Sequence, residues 1–285
     1  MSEETIEAYE VELRAAQDLA RRAGALVLDY YGAPLAVEHK GGELDEPVTQ
    51  ADHAANALIV NELRRLFPDD GILAEESADT TNRLNKRRVW MVDPLDGTTG
   101  FIDGNGDFAV QIGLAVDGES ALGVVYLPVA NALYWAARGR GAWALASGSA
   151  PKRLRVSSET DLKRMRLAVS RSHRSPRMNR VVEALGLLQE MPRGSVGIKI
   201  GLIVERECDL YIHLSPRTKQ WDTCAPEIIL REAGGRLTDL FGAPLRYNSP
   251  TVNNPNGLVA TNGVAHAIVI EQLAPLLAEF GRVKI

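Results

Sequence analysis

Two short apolar runs end directly in acidic residues: Ile72-Leu73-Ala74 leads into Glu75-Glu76, and Val89-Trp90-Met91-Val92 leads into Asp93-Pro94-Leu95-Asp96-Gly97-Thr98-Thr99. Runs this short and apolar read as buried strands, so the chain must carry carboxylates to the end of a sheet. Pro94 has no N–H to donate and is expected to stop the ladder at Asp93. Gly97 permits a sharp turn. Asp93 and Asp96 could then converge on one point, with the Leu95 carbonyl between them, and such hard oxygen donors suit Mg²⁺. The N–H groups after Gly97 would open a helix, which favours a phosphate. Asp-Gly is also a common turn pair, so this stretch alone does not separate a turn from a site.

Its companions carry bland readings too. Glu75 and Glu76 could be solvated loop acids. Asp222, after Trp221 and before a helix, could be an N-cap. Asp52, three residues after Thr49, could complete a capping box. An aspartate that caps a helix with one oxygen can still offer the other to a metal.

The rest of the chain gives these segments a frame. Ala16, Leu19, Ala23, Leu26, Val27 and Tyr30 repeat at helical spacing, with Gly32 and Pro34 expected to end the helix. A second helix follows Thr49 and stops at Pro68. Strands are expected over 108–116, 121–126, 132–136 and 142–145, separated by Asp117-Gly118, Pro128 and Gly139-Arg140-Gly141. After residue 150 the rhythm changes. Strands at 167–169, 210–212 and 258–260 alternate with helices at 179–185, 196–204, 225–233 and 267–280, an α/β pattern. We place the boundary at 155, giving an α+β half over 1–155 and an α/β half over 156–285.

Composition narrows the function. With 285 residues, 45% of them hydrophobic, the chain can bury a large core. A net charge of −5 argues against an overall grip on a nucleic acid polymer. No run of about 18 apolar residues suggests a membrane span. The acidic Met1-Ser2-Glu3-Glu4 start does not read as a signal peptide, and the two cysteines, Cys208 and Cys224, are not spaced as a disulfide framework. These features lead us to expect a cytoplasmic protein. Asp103-Gly104-Asn105-Gly106-Asp107 starts like a calcium loop, but Phe108 and Leu114 occupy positions that need glycine and glutamate. His39, His53, His173 and His266 show no metal-ligand spacing. Cys224 reads as a small buried hydrophobe.

Taken together, the motifs resemble the inositol monophosphatase superfamily of Mg²⁺-dependent, lithium-sensitive phosphatases. The resemblance rests on Asp93-Pro94-Leu95-Asp96-Gly97-Thr98, Glu75-Glu76-Ser77, Trp221-Asp222, Glu232-Ala233-Gly234-Gly235 and Val48-Thr49-Gln50-Ala51-Asp52. It implies a layered αβαβα sandwich. It also implies two or three Mg²⁺ on Glu75, Asp93, the Leu95 carbonyl, Asp96 and Asp222. Asp52 and Thr98, with Glu75, would activate water, and Gly97 and Thr98 would hold phosphate. A homodimer is a further implication. The substrate would be a small phosphorylated metabolite, with no membrane partner. A non-catalytic relative should have lost acidic positions, and none is lost here.

The substrate signals are mixed. The run from Ser215 to Glu227, with Lys219 inside it, resembles the 3′(2′),5′-bisphosphate nucleotidase branch, which hydrolyses adenosine 3′,5′-bisphosphate. Ser195-Val196-Gly197-Ile198-Lys199 and Asn105-Gly106-Asp107-Phe108 do so too. His213 stands where inositol monophosphatases carry a glutamate. Ser195, Lys199, His213 and Lys219 are therefore expected at the substrate. Thr98-Thr99-Gly100-Phe101 points the other way, so inositol 1-phosphate and a sugar bisphosphate remain alternatives.

Overall fold

The computed structural model describes residues 9–33, 37–39, 47–171 and 175–285. Helix α1 (Glu10–Tyr30) is followed by a ribbon of β1 (Val37–His39) and β2 (Pro47–Thr49), which leads into α2 (Gln50–Leu66). Then come β3 (Gly71–Ala74), β4 (Arg88–Asp96), the single-turn α3 (Thr98–Ile102), β5 (Ala109–Val116), β6 (Glu119–Leu127), β7 (Ala132–Ala137), β8 (Ala142–Ala146) and β9 (Lys152–Leu154). The remainder is β10 (Arg166–Ser170), α4 (Pro176–Leu185), β11 (Gln189–Arg193), α5 (Val196–Val204), β12 (Leu210–His213), α6 (Gln220–Glu232), β13 (Arg236–Thr238), β14 (Leu258–Thr261) and α7 (His266–Glu279). The expected end of α1 at Pro34 lies outside the described residues, as does His173.

Strands β3 to β9 form a seven-stranded sheet in sequence order, antiparallel except for the parallel β3–β4 pair. A five-stranded mixed sheet runs β11-β10-β12-β14-β13. Period-two alternation sorts the side chains into layers. On β4, Trp90 and Val92 face the core under α1 and α2, while Val89 and Met91 face Cys224 and Tyr247 on the α6 side. On β10, Ala168 faces α5 and α6, while Leu167 and Val169 face α4 and α7. The order α1/α2, first sheet, α5/α6, second sheet, α4/α7 is the expected αβαβα sandwich. Among the described residues no helix is long and apolar enough to cross a membrane.

The central layer positions the site. Gly123 on β6 lies under α6, where an added Cβ would stand 2.4 Å from the Ala225 carbonyl oxygen. Glycine therefore lets the helix backbone rest on the sheet. Ile228, Ile229 and Leu230 are at most 1% exposed, and burying each such side chain contributes about 1.5–3 kcal/mol. That packing lets α6 run through Pro226, which cannot donate a helical hydrogen bond. The helix thus opens at Gln220 instead of the expected Ala225.

Candidate active site

Parallel pairing of β3 and β4 sets Ala74 opposite Val92, and the Glu75 N–H donates to the Val92 carbonyl at 3.1 Å. The two following acids, Glu75 and Asp93, are adjacent, and their carboxyl groups lie within hydrogen-bond reach of each other. In an unbroken strand Asp93 and Asp96, three residues apart, would face opposite sides. A bulge prevents this. Asp93 pairs with Gln111 and Asp96 with Ala109, so β4 carries one residue more than β5 over this stretch. Contrary to the sequence expectation, Pro94 does not end the ladder; it sits in the bulge, and pairing resumes at Asp96. Gly97 then turns with φ 102°, and a Cβ there would stand 2.4 Å from the Asp107 carbonyl oxygen.

Asp222 arrives from the central layer. It is the third residue inside α6, not the N-cap residue, and its Oδ2 accepts the Lys219 N–H at 2.8 Å. Each aspartate of the cluster is tethered through one oxygen. Asp93 Oδ1 accepts the Leu95 N–H at 3.0 Å. Asp96 Oδ2 takes Gln111 Nε2 at 2.6 Å, Ser195 Oγ at 2.5 Å and the Gly197 N–H at 3.1 Å. Such tethers orient the carboxylates while leaving the second oxygens to the shared space.

The electrostatics are those of a cation site. Burial pushes the Asp93 carboxyl well above its ordinary range, and Glu75, Asp96 and Asp222 push it further. Asp222 is raised by burial, then by Asp96 and Glu75. Asp96 is raised by burial, with the Ser195 hydroxyl and Lys199 pulling it back. Crowded acids that repel one another, Asp93 buried and Glu75, Asp96 and Asp222 partly so, favour a positive ion among them. The all-oxygen donor set fits Mg²⁺. Among the described residues no group of three or more His, Cys, Asp or Glu side chains is arranged so that it could hold a metal ion by itself. The Leu95 carbonyl, water or substrate must therefore supply part of any ion's shell, as Mg²⁺ tolerates.

Beside the cluster, Asp52 is 2% exposed and completes the capping box of α2. Its Oδ2 accepts the Thr49 N–H at 2.8 Å and the Thr49 hydroxyl at 2.6 Å, and its Oδ1 accepts the Thr98 hydroxyl at 3.1 Å. Thr98 Oγ1 also lies 3.3 Å from the Leu95 carbonyl oxygen, which links the Asp52 pair to the cluster.

A cleft of about 860 Å³ opens over these groups and includes Glu75, Asp93, Leu95, Asp96, Gly97, Thr98 and Asp222. His213 and Lys219 line it as well, with His213 Nε2 2.7 Å from Ser215 Oγ. Ser195 and Lys199 do not reach its wall. Ser195 is spent on Asp96. Lys199, 4% exposed, donates to the Gly194 carbonyl at 3.1 Å, and its Nζ lies 5.0 Å from the Tyr211 ring centroid. Burial lowers its pKa to about 8 against the pull of Asp96.

Three lining cations were not singled out from the sequence: Arg177, Arg217 and Arg282. Burial, then the neighbouring Arg177, lowers the pKa of Arg282, whose guanidinium donates to the Leu214 carbonyl. Arg177 comes from α4 and Arg282 follows α7, and no local pattern marks either. Gln111 was also missed, although a lone amide in the apolar strand Ala109–Val116 was a readable signal.

Comparison with known proteins gives this geometry a family. Residues 9–277 match the sequence profile of the inositol monophosphatase family. The chain is 38% identical over 230 residues to the 3′(2′),5′-bisphosphate nucleotidase CysQ of Salmonella typhimurium, covering 80% of this chain and 91% of that protein. It is 36% identical over 266 residues to the histidinol-phosphatase of Mycobacterium tuberculosis, covering 92% and 97%. Among solved structures, the Thermotoga maritima IMPase superposes with a TM-score of 0.79 at 28% identity, covering 95% of this chain and 99% of that one. A fold of these layers, a carboxylate cluster at the sheet end and a match along nearly the whole chain place this protein in the inositol monophosphatase family of phosphatases.

Proposed function

We propose that this phosphatase is a Mg²⁺-dependent 3′(2′),5′-bisphosphate nucleotidase that acts on adenosine 3′,5′-bisphosphate. The observation that carries the reading is the charge layout of the cleft. Carboxylates suited to a cation share it with Arg177, Arg217, Lys219 and Arg282. A substrate with one phosphate to lose and a second to be held matches that division.

In this reading Glu75, Asp93, Asp96, Asp222 and the Leu95 carbonyl hold two or three Mg²⁺. Bound there, the metal neutralises the phosphate dianion, lowers the pKa of a water and stabilises the leaving alkoxide. Asp52, through the Thr98 hydroxyl, orients the attacking water and takes up its proton, with Glu75 as a second acceptor. Gly97 and Thr98 seat the phosphate through backbone N–H groups. Lys219 and the arginines hold the phosphate that is not cleaved, and His213 borders the sugar.

A second reading is a histidinol-phosphatase, favoured by the longer match, over 92% of the chain. Its substrate carries a cationic amine, which the four cations among the described residues of the cleft oppose. A steady-state panel decides: adenosine 3′,5′-bisphosphate, histidinol phosphate, inositol 1-phosphate and fructose 1,6-bisphosphate, each with Mg²⁺ and with EDTA. The highest kcat/KM is expected for the nucleotide and none with EDTA. Preference for histidinol phosphate or inositol 1-phosphate overturns the substrate, and full activity after chelation overturns the metal. Lys219→Ala should lower kcat/KM for the bisphosphate by about 10-fold or more, the loss of a charge-assisted contact. It should leave hydrolysis of inositol 1-phosphate nearly unchanged.

A further inference from the structure

One fully buried guanidinium plays no part in the chemistry above. Arg83 is 2% exposed and lies in the 3₁₀ turn Asn82–Asn85, downstream of Glu75. Its Nε and one terminal nitrogen hold the Asp79 carboxylate, at 3.0 and 2.7 Å. The other terminal nitrogen crosses to a remote segment and donates to Asn248 Oδ1 at 3.0 Å and to the Ser249 carbonyl at 3.1 Å. Asn248 answers with its amide, which donates to the Arg83 carbonyl at 2.9 Å and the Lys86 carbonyl at 3.2 Å.

That segment is in turn fastened to the start of α6. Gln220 Oε1 accepts the Asn248 N–H at 2.7 Å, and Gln220 Nε2 donates to Ser249 Oγ at 2.7 Å and to the Thr251 carbonyl at 2.8 Å. The Gln220 N–H donates to the Val252 carbonyl at 2.8 Å. Gln220 is the first residue of α6, two before Asp222. On the other flank, Asn56 Nδ2 donates to the Glu76 carbonyl at 3.3 Å and to Ser77 Oγ at 3.0 Å. The loop that carries Glu75 is thus strapped to α2 on one side and to α6 on the other.

We propose that Arg83 is a positioning residue: through the strap at 248–252 and Gln220 it fixes the separation of Glu75 and Asp222 across the cleft. The inference rests on the carboxylate cluster being the reaction centre. Glu75 and Asp222 belong to different layers and raise each other's proton affinity by repulsion, so a tie between the loop and the start of the helix works against that repulsion. A planar guanidinium suits the task, because its fixed fork serves the Asp79, Asn248 and Ser249 acceptors at once, which an ammonium cannot do. Its burial removes it from screening by salt.

The test uses Arg83→Lys and Asn248→Gly in the full chain. Asn248 has φ 59°, so glycine keeps the backbone and deletes only the side-chain bonds. Hydrogen exchange of the metal-free protein comes first. Amides in 77–86 and 219–224 should both exchange faster, by roughly 10-fold, while β5 and β6 stay protected. Mn²⁺ titration should show binding weakened by about 10-fold, the low end for residues that support metal ligands. At saturating Mg²⁺, kcat should stay within about threefold. The double variant should be no weaker than the worse single one, as expected for one shared path.

Faster exchange confined to 77–86 would show that Arg83 holds only its own turn and overturns the proposal. So does unchanged Mn²⁺ affinity in variants whose two segments have loosened. If Arg83→Lys fails to fold, Asn248→Gly decides alone. If the wild type binds no Mn²⁺, the metal reading fails instead, and joint or separate loosening of the two segments still decides the strap.

Discussion

Helices α2 and α6 open on the same device, yet the two openings are put to different uses. In each, the third helical residue is an aspartate whose Oδ2 accepts, at 2.8 Å, the N–H of the residue before the helix. Both carboxylates also gain from the positive end of the helix dipole. Their neighbours differ. Asp52 is met by neutral hydroxyls, from Thr49 on one oxygen and from Thr98 on the other. Asp222 has a single backbone tether, and after burial Asp96 and Glu75 raise its pKa against a smaller pull from the Lys219 charge. A local capping rule therefore places a carboxylate, and the tertiary surroundings decide its use. Among hydroxyls it can orient a proton; among acids it calls for a cation.

The largest expected effect tests that division directly. Asp222→Asn keeps an oxygen for the Lys219 N–H, and Asp96→Asn keeps one for Gln111, so both variants should fold. Each removes a formal charge from the cluster, and turnover should fall by a factor on the order of 10² or more. Asp52→Asn should also slow turnover, by about 10²-fold, since it disturbs the group that accepts a proton. The two kinds of variant part in a Mg²⁺ titration. Half-maximal activation should need more Mg²⁺ in Asp222→Asn and no more than wild type in Asp52→Asn. If Asp52→Asn moves the Mg²⁺ requirement as far as Asp222→Asn does, the two caps are not different after all.

Much of this contrast could be read from sequence, and what could not has physical causes. The capping box at Thr49 and Asp52 is local, so residue types three apart reveal it. The acids after β3 and β4 are legible because apolar runs point at them. The bulge that turns Asp93 and Asp96 to one side depends on pairing with β5, a long-range fact. The start of α6 lies earlier than expected because Pro226 reads as a first-turn proline, while packing on the sheet carries the helix through it. Strand β11, Gln189–Arg193, was missed because it is a polar edge strand that tolerates Pro192. Lys199 was expected at the substrate because its segment resembles the nucleotidase branch, and only the fold reveals that it turns inward beside Asp96. Arg177 and Arg282 meet at the cleft from segments about a hundred residues apart, and such a meeting leaves no local trace.

A smaller effect should appear in pH-dependent stability. Asp93 and Asp222 have folded pKa values raised above the ordinary 3.8, so the folded state binds their protons more tightly than the unfolded chain does. This contribution is fully present below about pH 3.8 and is lost as pH rises through the folded values. In the metal-free protein the cluster should therefore favour folding at mildly acidic pH over neutral pH. Mg²⁺ should reverse the trend, because it replaces the protons. The gain in Tm on adding Mg²⁺ should grow from pH 5 to pH 8 and should shrink in Asp222→Asn, while Asp52→Asn retains it. A Mg²⁺ gain independent of pH would mean that the ion does not bind where these acids repel.

The smallest effect concerns the cap residues themselves, Thr49 and Lys219. Thr49 caps α2 with its side chain, accepting the Ala51 N–H at 3.2 Å, and it also donates to Asp52. Thr49→Ala should therefore cost about 1 kcal/mol of stability. In a chain of this size that is a fall in Tm of about 2–4 °C. Activity should fall severalfold as well, since Asp52 loses one of its donors, and Thr49→Ser should restore both properties. Lys219 tethers Asp222 through its backbone N–H, which every non-proline residue has, and its side chain adds a charge that draws the Asp222 pKa down. Lys219→Ala should accordingly leave Tm within about 1 °C, as expected for a substitution that removes no cap or core contact. Its effect should fall instead on bisphosphate hydrolysis. The two substitutions thus separate by readout, stability for Thr49 and substrate choice for Lys219. Equal losses of Tm would mean that the Lys219 side chain is part of the helix start and not free to meet a substrate.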